Sequence, residues 1–209
     1  PPRRLTRSDE REAYPVWSRD GRQIAYVTWD DDKGGQIKVV GAAGGAGRVV
    51  TTEPGYYREP SFSPDGRMIA FRKGSDGFLA TPLWGRDPGI YVQALGAGAK
   101  PKRVSKSGAF PQFGKDSARV FFVDQDGDNQ VFKSVDVTGA DPMTHLKATN
   151  AAEVALSPDE KFIGWTERYQ AYVMPFVRSG RTIDVAADAK SLPQTKVSSD
   201  AGDYLHWSG

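Results

Sequence analysis

The six residues DQDGDN at 124–129 have the composition of a cation-binding loop. Asp124, Asp126 and Asp128 alternate along this run, and calcium loops of the DxDxDG type have a similar density of carboxylates. The run has no downstream glutamate at the spacing of an EF-hand, and its glycine is misplaced for that motif. Asp-Gly also forms tight turns between antiparallel strands. The three aspartates are therefore calcium candidates, with a plain hairpin as the alternative.

The sequence offers no set of residues for catalysis. Its two histidines, His145 and His206, lie in different repeats and cannot form the His-x-His metal site of an amidohydrolase barrel. We expect His145, in an outer strand, to lie on the surface. No G-x-S-x-G motif of a serine hydrolase occurs, and the glycine-rich run at 41–47 lacks the Lys-Ser/Thr of a phosphate loop. We predict no catalytic residue, no cofactor and no other metal site.

Composition and charge exclude several classes of protein. The 209 residues include no cysteine, which excludes disulfides and thiolate metal sites. The 28 Lys and Arg nearly balance the 26 Asp and Glu, which argues against a nucleic-acid surface. No apolar run reaches the ~18 residues of a membrane span. The 23 glycines, 14 prolines and 11% aromatic residues favour an all-β chain of short strands joined by turns.

The dominant pattern is an internal repeat. Related segments begin at residues 16, 61, 112 and 155, and a truncated one begins at residue 206. Their spacing, with several short strands in each unit, is typical of the blades of a β-propeller. The four full segments read VWSRDGRQIAYV, SFSPDGRMIAFR, QFGKDSARVFFV and ALSPDEKFIGWT.

Each unit predicts four antiparallel strands. A tight turn of the Ser-Pro-Asp-Gly type joins the first strand to the second. The third and fourth units lack the turn glycine, so strained or altered turns are expected there. The second strands, IAYV, IAFR, VFFV and IGWT, are almost continuously apolar, which predicts burial on both faces between neighbouring blades. The fourth strands are more polar, as exposed edges should be.

These motifs resemble the TolB-like propeller repeat, most closely in PSFSPDGRMIAFRKGSDG at 60–77 and GIYVQA at 89–94. Within that group, WSRDGRQIAYVTWDDDKGG, WGRDPGIY, ERYQAYV and DAGDYLHWS resemble the propeller region that precedes the catalytic barrel of large bacterial secreted amidohydrolases. The resemblance implies a secreted or periplasmic parent protein. It also implies that any zinc chemistry lies outside these residues.

We therefore predict an all-β fold, a single TolB-like β-propeller domain over 1–209. Its four complete four-stranded blades occupy approximately 13–57, 58–108, 109–151 and 152–202, with orphan strands at 1–12 and 203–209. The orphan strands predict a fragment of a larger propeller, and a self-contained four-bladed ring is the alternative. Uncovered blade edges would then favour self-association.

Topology places the connections into the first strands on the same face as the hairpins between second and third strands. Function in such folds resides in loops at one end of a rigid scaffold. Two insertions lengthen loops. The first, 74–88, presents Trp and Arg as interface anchors, with a loop folded back to cap its own blade as the alternative, and the second, 177–193, is interpreted as surface decoration. We expect a partner to bind this face through Trp29, Tyr56, Tyr57, Arg58, Glu59, Trp84, Arg86, Phe110, Glu167, Arg168, Tyr169, Asp203 and Tyr204.

Three functions are compatible with these features. The first is a non-catalytic scaffold in a metal-dependent amidohydrolase, contacting other domains of a longer parent chain. The second is a free-standing protein-binding propeller of the TolB translocation type. The third is the gating propeller of a serine peptidase of the prolyl oligopeptidase type. None of the three involves nucleic acid or a membrane span.

Overall fold

The computed structural model describes residues 3–75, 84–190, 192–200 and 205–207. Its strands form four sheets, each with an antiparallel core of four strands, arranged as the blades of a propeller. The predicted all-β propeller with four four-stranded blades is thereby confirmed. None of the helical structure in the described ranges is long and apolar enough to cross a membrane.

The strands follow one another in chain order within each blade. Blade 1 contains β1 (Arg11–Trp17), β2 (Gln23–Trp29), β3 (Gln36–Gly41) and β4 (Arg48–Val49). Blade 2 contains β5 (Tyr57–Phe62), β6 (Met68–Lys73), β7 (Gly89–Ala94) and β8 (Lys102–Ser105). Blade 3 contains β9 (Ala109–Phe113), β10 (Arg119–Asp126), β11 (Asn129–Asp136) and β12 (Met143–Thr149). Blade 4 contains β13 (Ala151–Leu156), β14 (Phe162–Glu167), β15 (Gln170–Pro175) and β17 (Thr195–Lys196); β16 (Ile183–Val185) joins blade 3.

The turn between first and second strands is built on one hydrogen-bond pattern. In blade 2 the buried Ser63 hydroxyl donates to Asp65 and accepts the backbone N–H of Met68. The glycine of this turn has a φ of +67°, a conformation that costs other residues more. Ser117 and Glu160 occupy the same place in blades 3 and 4, each with a φ of +58°. The expected strain in these two turns is confirmed.

The second strands are dry on both faces, as their composition predicts. Ile69, Ala70 and Phe71 of β6 are fully buried. Ile69 and Phe71 belong to a cluster shared with blade 1, whereas Ala70 belongs to a cluster shared with blade 3. Blade 2 therefore completes the core of both its neighbours, which places the apolar core between the sheets rather than within one of them.

The insertion at 177–193 is not surface decoration, and that interpretation was wrong. Its strand β16 pairs in parallel with β12 and adds a fifth strand to blade 3, although the flanking strands β15 and β17 belong to blade 4. Phe176 and Val185 are buried in the cluster between blades 3 and 4. We call residues 176–194 the strap, because the segment fastens blade 4 to the outer edge of blade 3.

His145 is buried, so the expectation that it lies on the surface was wrong. Its ring lies against Phe121, Phe132 and Phe176, with centroid separations of 5.4 to 6.2 Å. Its Nε2 is 2.7 Å from the Ser134 hydroxyl. Phe176, at the start of the strap, covers His145 on the outer strand β12, so this part of β12 is buried.

A central cavity of about 640 Å³ lies along the inner strands at the end where the Ser-Pro-Asp-Gly turns are. All four first strands line it, and the 205–207 segment lies beside β13, where the Trp207 indole N–H donates to Ala155 O at 3.2 Å. At the other end of the chain, Leu5 packs against Ile24 and Tyr26 of blade 1. The extensive contacts between described strands join blades 1 to 2, 2 to 3 and 3 to 4.

Replacement of Phe121 by alanine should lower the free energy of unfolding by about 3–5 kcal/mol, because it leaves a cavity in the core between blades 3 and 4. Urea denaturation followed by tryptophan fluorescence measures this. Phe162→Ala is the control, since Phe162 is 41% exposed and should cost well under half as much. Equal losses for the two variants would contradict the buried position of Phe121.

Stability should fall as the pH is lowered from about 6.5 to about 4, in part through His145. Burial, with Arg119 and Arg178 nearby, lowers the pKa of His145 from 6.5 to about 4. Between these values the unfolded chain binds a proton that the folded chain does not, so the free energy of unfolding decreases with decreasing pH. Parallel urea titrations of wild type and His145→Gln isolate the effect from carboxylate titration. Identical pH profiles for the two proteins would contradict it.

Candidate functional site

One end of the propeller carries the hairpins β2–β3, β6–β7, β10–β11 and β14–β15 and the starts of the four inner strands. We call this end the hairpin face. The described residues that the sequence predicts to bind a partner lie in these hairpins and near the starts of the inner strands. The geometry of this face is set by a bulge near the start of each inner strand, where the pairing with the second strand shifts register.

Three of these bulges hold a strained residue at the same position. Tyr14, Glu59 and Phe110 have φ values of +52°, +53° and +52°, and each precedes a proline. Such backbone is unfavourable for residues other than glycine and persists where the surrounding structure enforces it, often at binding sites. Tyr14 is 39% exposed and Phe110 is 60% exposed. The bulge thus holds the Tyr14 and Phe110 side chains partly in solvent at equivalent positions of two inner strands.

A cationic and aromatic cluster spans blades 1 and 2. Arg58 Nε donates to the Tyr14 hydroxyl at 3.0 Å, and the guanidinium lies 5.8 Å from the Tyr14 ring and 5.3 Å from the Tyr56 ring. Trp29 meets Tyr56 edge to face at 5.7 Å and donates to Asp31 at 2.8 Å. Each cation–π contact at such a site contributes roughly 0.5–1 kcal/mol. We call these five residues the Arg58 cluster.

Glu59 joins blade 2 to blade 3 beside this cluster. Its carboxylate accepts the backbone N–H of Phe110 at 2.6 Å and pairs with Arg72 at 3.5 Å. Glu153 has the same position in blade 4, where it accepts the N–H of Leu205 at 2.6 Å. In both blades a carboxylate at the bulge therefore fixes the start of the next inner segment.

The β14–β15 hairpin presents a second exposed aromatic side chain. Arg168 and Tyr169 form its two-residue tip with φ values of +50° and +62°, which is the geometry of a type I′ turn. Tyr169 is 70% exposed. This turn normally favours Asn-Gly, so the backbone of the Arg-Tyr pair is strained here. Both side chains are exposed to solvent.

The structure brings only part of the predicted set together. Trp29, Tyr56 and Arg58 form the Arg58 cluster, and Glu59 connects it to Phe110. Arg168 and Tyr169 lie on blade 4 of the same face. Arg86 is exposed in the β6–β7 connection. Asp203 and Tyr204 lie outside the described residues.

Three residues of the predicted set are not presented to solvent as expected. Tyr57 is 5% exposed and packs edge to face against Phe71; burial, with the Glu53 carboxylate nearby, raises its pKa to about 12. Glu167 is 4% exposed, because its carboxylate accepts a backbone N–H from the strap. Trp84 is half-buried and lies so close over the β2–β3 hairpin that a Cβ at Gly34 would collide with its ring.

Tyr14 belongs to the cluster although the partner-binding prediction does not include it. A signal for it is present in the sequence: Tyr-Pro, Glu-Pro and Phe-Pro occur at the same offset before the turn motif in three successive units. A residue before proline is restricted in conformation, so this repeated dipeptide marks the bulge that directs Tyr14, Glu59 and Phe110.

The three calcium candidates are not gathered into a cation site. The Asp124 carboxylate accepts hydrogen bonds from Lys133 at 2.8 Å and Ser107 at 2.9 Å. Burial opposes its ionisation, but these hydrogen bonds lower the pKa of Asp124 overall. Asp126 pairs with Lys147, and Asp128 is exposed at the hairpin tip. Within the described ranges no group of three acidic or histidine side chains is placed to hold a metal.

The buried Ser134–His145 pair does not have the arrangement of a nucleophile and its base. Ser134 is fully buried, and Arg119 Nε donates to its hydroxyl at 3.0 Å. Arg119 also pairs with Asp141 at 2.6 Å, so the acidic group of this network contacts the arginine rather than the imidazole. A substrate cannot reach the serine. The network instead satisfies polar groups between β10, β11 and β12.

Replacement of Glu59 by glutamine should lower the free energy of unfolding by about 1–3 kcal/mol, because the charged acceptor of the Phe110 N–H and the partner of Arg72 are both lost. Urea denaturation measures the loss, and hydrogen exchange at the Phe110 amide should accelerate. Asp32→Asn is the control, since Asp32 is exposed at the β2–β3 hairpin. An unchanged hydrogen-exchange rate at the Phe110 amide would contradict the role of Glu59 as its acceptor.

Comparisons with known proteins agree with this architecture. The chain is 36% identical over 73 residues to the Tol-Pal system protein TolB of Alcanivorax borkumensis, an alignment that covers 35% of this chain and 17% of that protein. It is 33% identical over 64 residues to the uncharacterized peptidase YuxL of Bacillus subtilis, covering 31% of this chain and 10% of that protein. TolB from Acinetobacter baumannii superposes with a TM-score of 0.63 at 23% identity, over 80% of this chain and 41% of that one.

The chain thus spans less than a fifth of the two curated relatives in these alignments and under half of the TolB structure. The family model that describes the TolB beta propeller domain matches residues 1–190. The repeated turn motif, the four stacked blades and this match lead to one conclusion: the chain belongs to the TolB beta propeller domain family.

Proposed function

We propose that this propeller is a non-catalytic scaffold whose hairpin face binds either another domain of a longer parent chain or a separate protein. The single observation that carries the proposal is the Arg58 cluster, in which an arginine lies against two tyrosines next to strained, partly exposed aromatic residues. Tyrosine, tryptophan and arginine are the residue types that supply most of the binding energy at protein interfaces.

The chemistry of the cluster favours a protein surface over a small substrate. Its aromatic rings offer flat apolar area at low entropic cost, and Arg168 at the tip of the β14–β15 hairpin offers planar donors for carboxylates or backbone carbonyls. Tyr169 and Phe110 extend the same chemistry to blades 4 and 3. A partner would therefore contact several blades at once, which a rigid arrangement of inner strands permits.

For the parent protein we infer a secreted or periplasmic metal-dependent amidohydrolase. This rests on the resemblance of the non-repeat stretches WGRDPGIY, ERYQAYV and DAGDYLHWS to the propeller region of such enzymes. Its metal ligands would lie in a catalytic domain beyond these residues, and the propeller would orient or shield that domain.

Two other parents are favoured by specific observations. Similarity to Tol-Pal system proteins supports a free-standing protein-binding propeller of the TolB translocation type. Similarity to YuxL and to the acylaminoacyl peptidase structure, which superposes over 90% of this chain with a TM-score of 0.56, supports a propeller that gates a serine peptidase. Flanking sequence separates the three: His-x-His indicates the amidohydrolase, G-x-S-x-G the peptidase, and only further propeller blades the TolB type.

A photo-crosslinking amino acid at position 169 of the full-length natural protein should crosslink efficiently in its own cells, because Tyr169 is the most exposed aromatic residue of the described hairpin face. Position 162 is the matched control, since Phe162 is exposed at the start of β14, at the end of that strand opposite the hairpin that carries Tyr169. Mass spectrometry of the products identifies the partner.

Crosslinks within one chain would support an interdomain scaffold, and crosslinks to another protein would support a free-standing one. The substitution Arg58→Ala should lower the yield at position 169 about tenfold or more if the cluster is an interface anchor. Equal yields at positions 162 and 169, or no effect of the Arg58 substitution, would contradict the proposed binding face.

A further inference from the structure

The central cavity lies at the end of the propeller opposite the hairpin face, where the turns between first and second strands are. We call it the turn-end cavity. The ends of all four first strands line it together with the 205–207 segment. Its volume of about 640 Å³ falls within the range of small-molecule sites in proteins. Size and position therefore make this cavity a candidate site that is separate from the Arg58 cluster.

Trp17 ends the first inner strand and differs from its equivalents in the other three blades. Phe62, Phe113 and Leu156 have the same place in their repeats and are buried, because each belongs to a cluster between two blades. Trp17 instead lines the turn-end cavity and is 57% exposed. The large apolar surface that a ligand can reach in this cavity therefore comes from an exposed side chain and not from the core.

A second tryptophan, Trp207, lines the cavity from the 205–207 segment. Its indole N–H donates to Ala155 O at 3.2 Å. A Cβ at Gly164 would lie 3.1 Å from Leu205 and 3.4 Å from Trp207, so both side chains pack closely on the blade 4 sheet. Trp207 remains half-exposed in this position. The hydrogen bond and the packing therefore hold a second aromatic side chain at the cavity without burying it.

The ionisable side chains at the cavity are basic. Among the residues that the structure describes, its lining includes Arg19 and His206 but no aspartate or glutamate. Arg19 is exposed, and no carboxylate of the described ranges lies within 4.0 Å of its guanidinium. The neighbouring Asp20 carboxylate accepts hydrogen bonds from the Ser18 hydroxyl and the Arg22 backbone N–H instead. The guanidinium of Arg19 is therefore available to a ligand.

These two properties together select a chemical class of ligand. Aromatic side chains favour an apolar body, because its contact with them removes apolar surface of both from water. An arginine without a carboxylate partner favours a negative group, and its planar donors match the two oxygens of a carboxylate. A cationic ligand would meet Arg19 and find no opposite charge in the described lining. The cavity therefore favours anions that also carry apolar surface.

We propose that the turn-end cavity binds a small amphipathic anion, with an aromatic or alkyl body and a terminal carboxylate. The body lies against Trp17 and Trp207, and the carboxylate accepts hydrogen bonds from Arg19. Binding at this end of the blades leaves the hairpin face free for a partner. The proposal thus goes beyond the proposed function of that face and does not depend on it.

The test is an NMR titration of the ¹⁵N-labelled 209-residue chain with naphthylacetate and its uncharged analogue naphthylacetamide, followed at the tryptophan indole N–H signals. Naphthylacetate should shift the Trp17 and Trp207 signals in a saturable manner. The Trp29 signal should stay unchanged, because Trp29 belongs to the Arg58 cluster at the other end of the propeller. Naphthylacetamide should bind about tenfold more weakly, because the charge-assisted contact with Arg19 is lost.

The substitution Arg19→Gln should remove most of the difference between the two ligands, whereas Trp17→Ala should weaken both to a similar extent. Arg22→Gln is the matched control, because Arg22 is exposed in the same turn but does not line the cavity. The ¹⁵N spectra of the three variants also show that they are folded.

The proposal is overturned if neither ligand shifts the Trp17 and Trp207 signals, or if the two ligands bind the unsubstituted chain equally. It is also overturned if Arg22→Gln weakens binding of naphthylacetate as much as Arg19→Gln does. A shift confined to Trp29 would overturn it as well, while leaving the proposed function of the hairpin face intact.

Discussion

Burial of the second strand on both faces is the constraint on which the other features depend. Phe71, Phe121 and Trp165 are fully buried, and none of them is covered by its own sheet, because a strand presents its side chains to the two faces of that sheet. The cover comes from an adjacent blade, which is blade 1 for Phe71, blade 4 for Phe121 and blade 3 for Trp165. A single blade of this chain therefore cannot bury its apolar surface alone, and the free energy of folding resides in the interfaces between blades.

Side chains rather than backbone ladders connect the inner strands across these interfaces. Gln112 binds both the carbonyl and the N–H of Leu156 in the next blade, at 3.0 and 3.3 Å. Glu59 and Glu153 fix the start of the following inner segment in the same manner. Because these bonds determine where each inner strand begins, they also determine where the strained residues of the hairpin face lie. Stability and the proposed binding surface thus share the same few polar contacts.

The periodic part of the structure could be predicted from the sequence, and the non-periodic part could not. The repeat of turn and apolar strand identifies the blades, because both motifs depend only on residues close in the chain. Tyr56 and Tyr57 show why strand alternation alone does not assign every side chain to a face. The bulge in β5 shifts the pairing after Arg58, so alternation along the strand does not reveal that Tyr57 faces the core and Tyr56 the Arg58 cluster. His145 and Glu167 are buried by the strap, whose parallel pairing with β12 has no local signal.

Two departures from the repeat compensate each other across the interface between blades 3 and 4. Unit three has Gly114 where other units have the turn serine, and unit four has Glu160 where the first two have the turn glycine. The Glu160 carboxylate lies so close to Gly114 that a Cβ there would collide with it. It accepts the Lys115 N–H at 2.7 Å and pairs with Arg178 of the strap at 3.5 Å. The strain of a left-handed glutamate is thus offset by bonds that only the glycine permits, so each of these two residues depends on its neighbour in the adjacent blade.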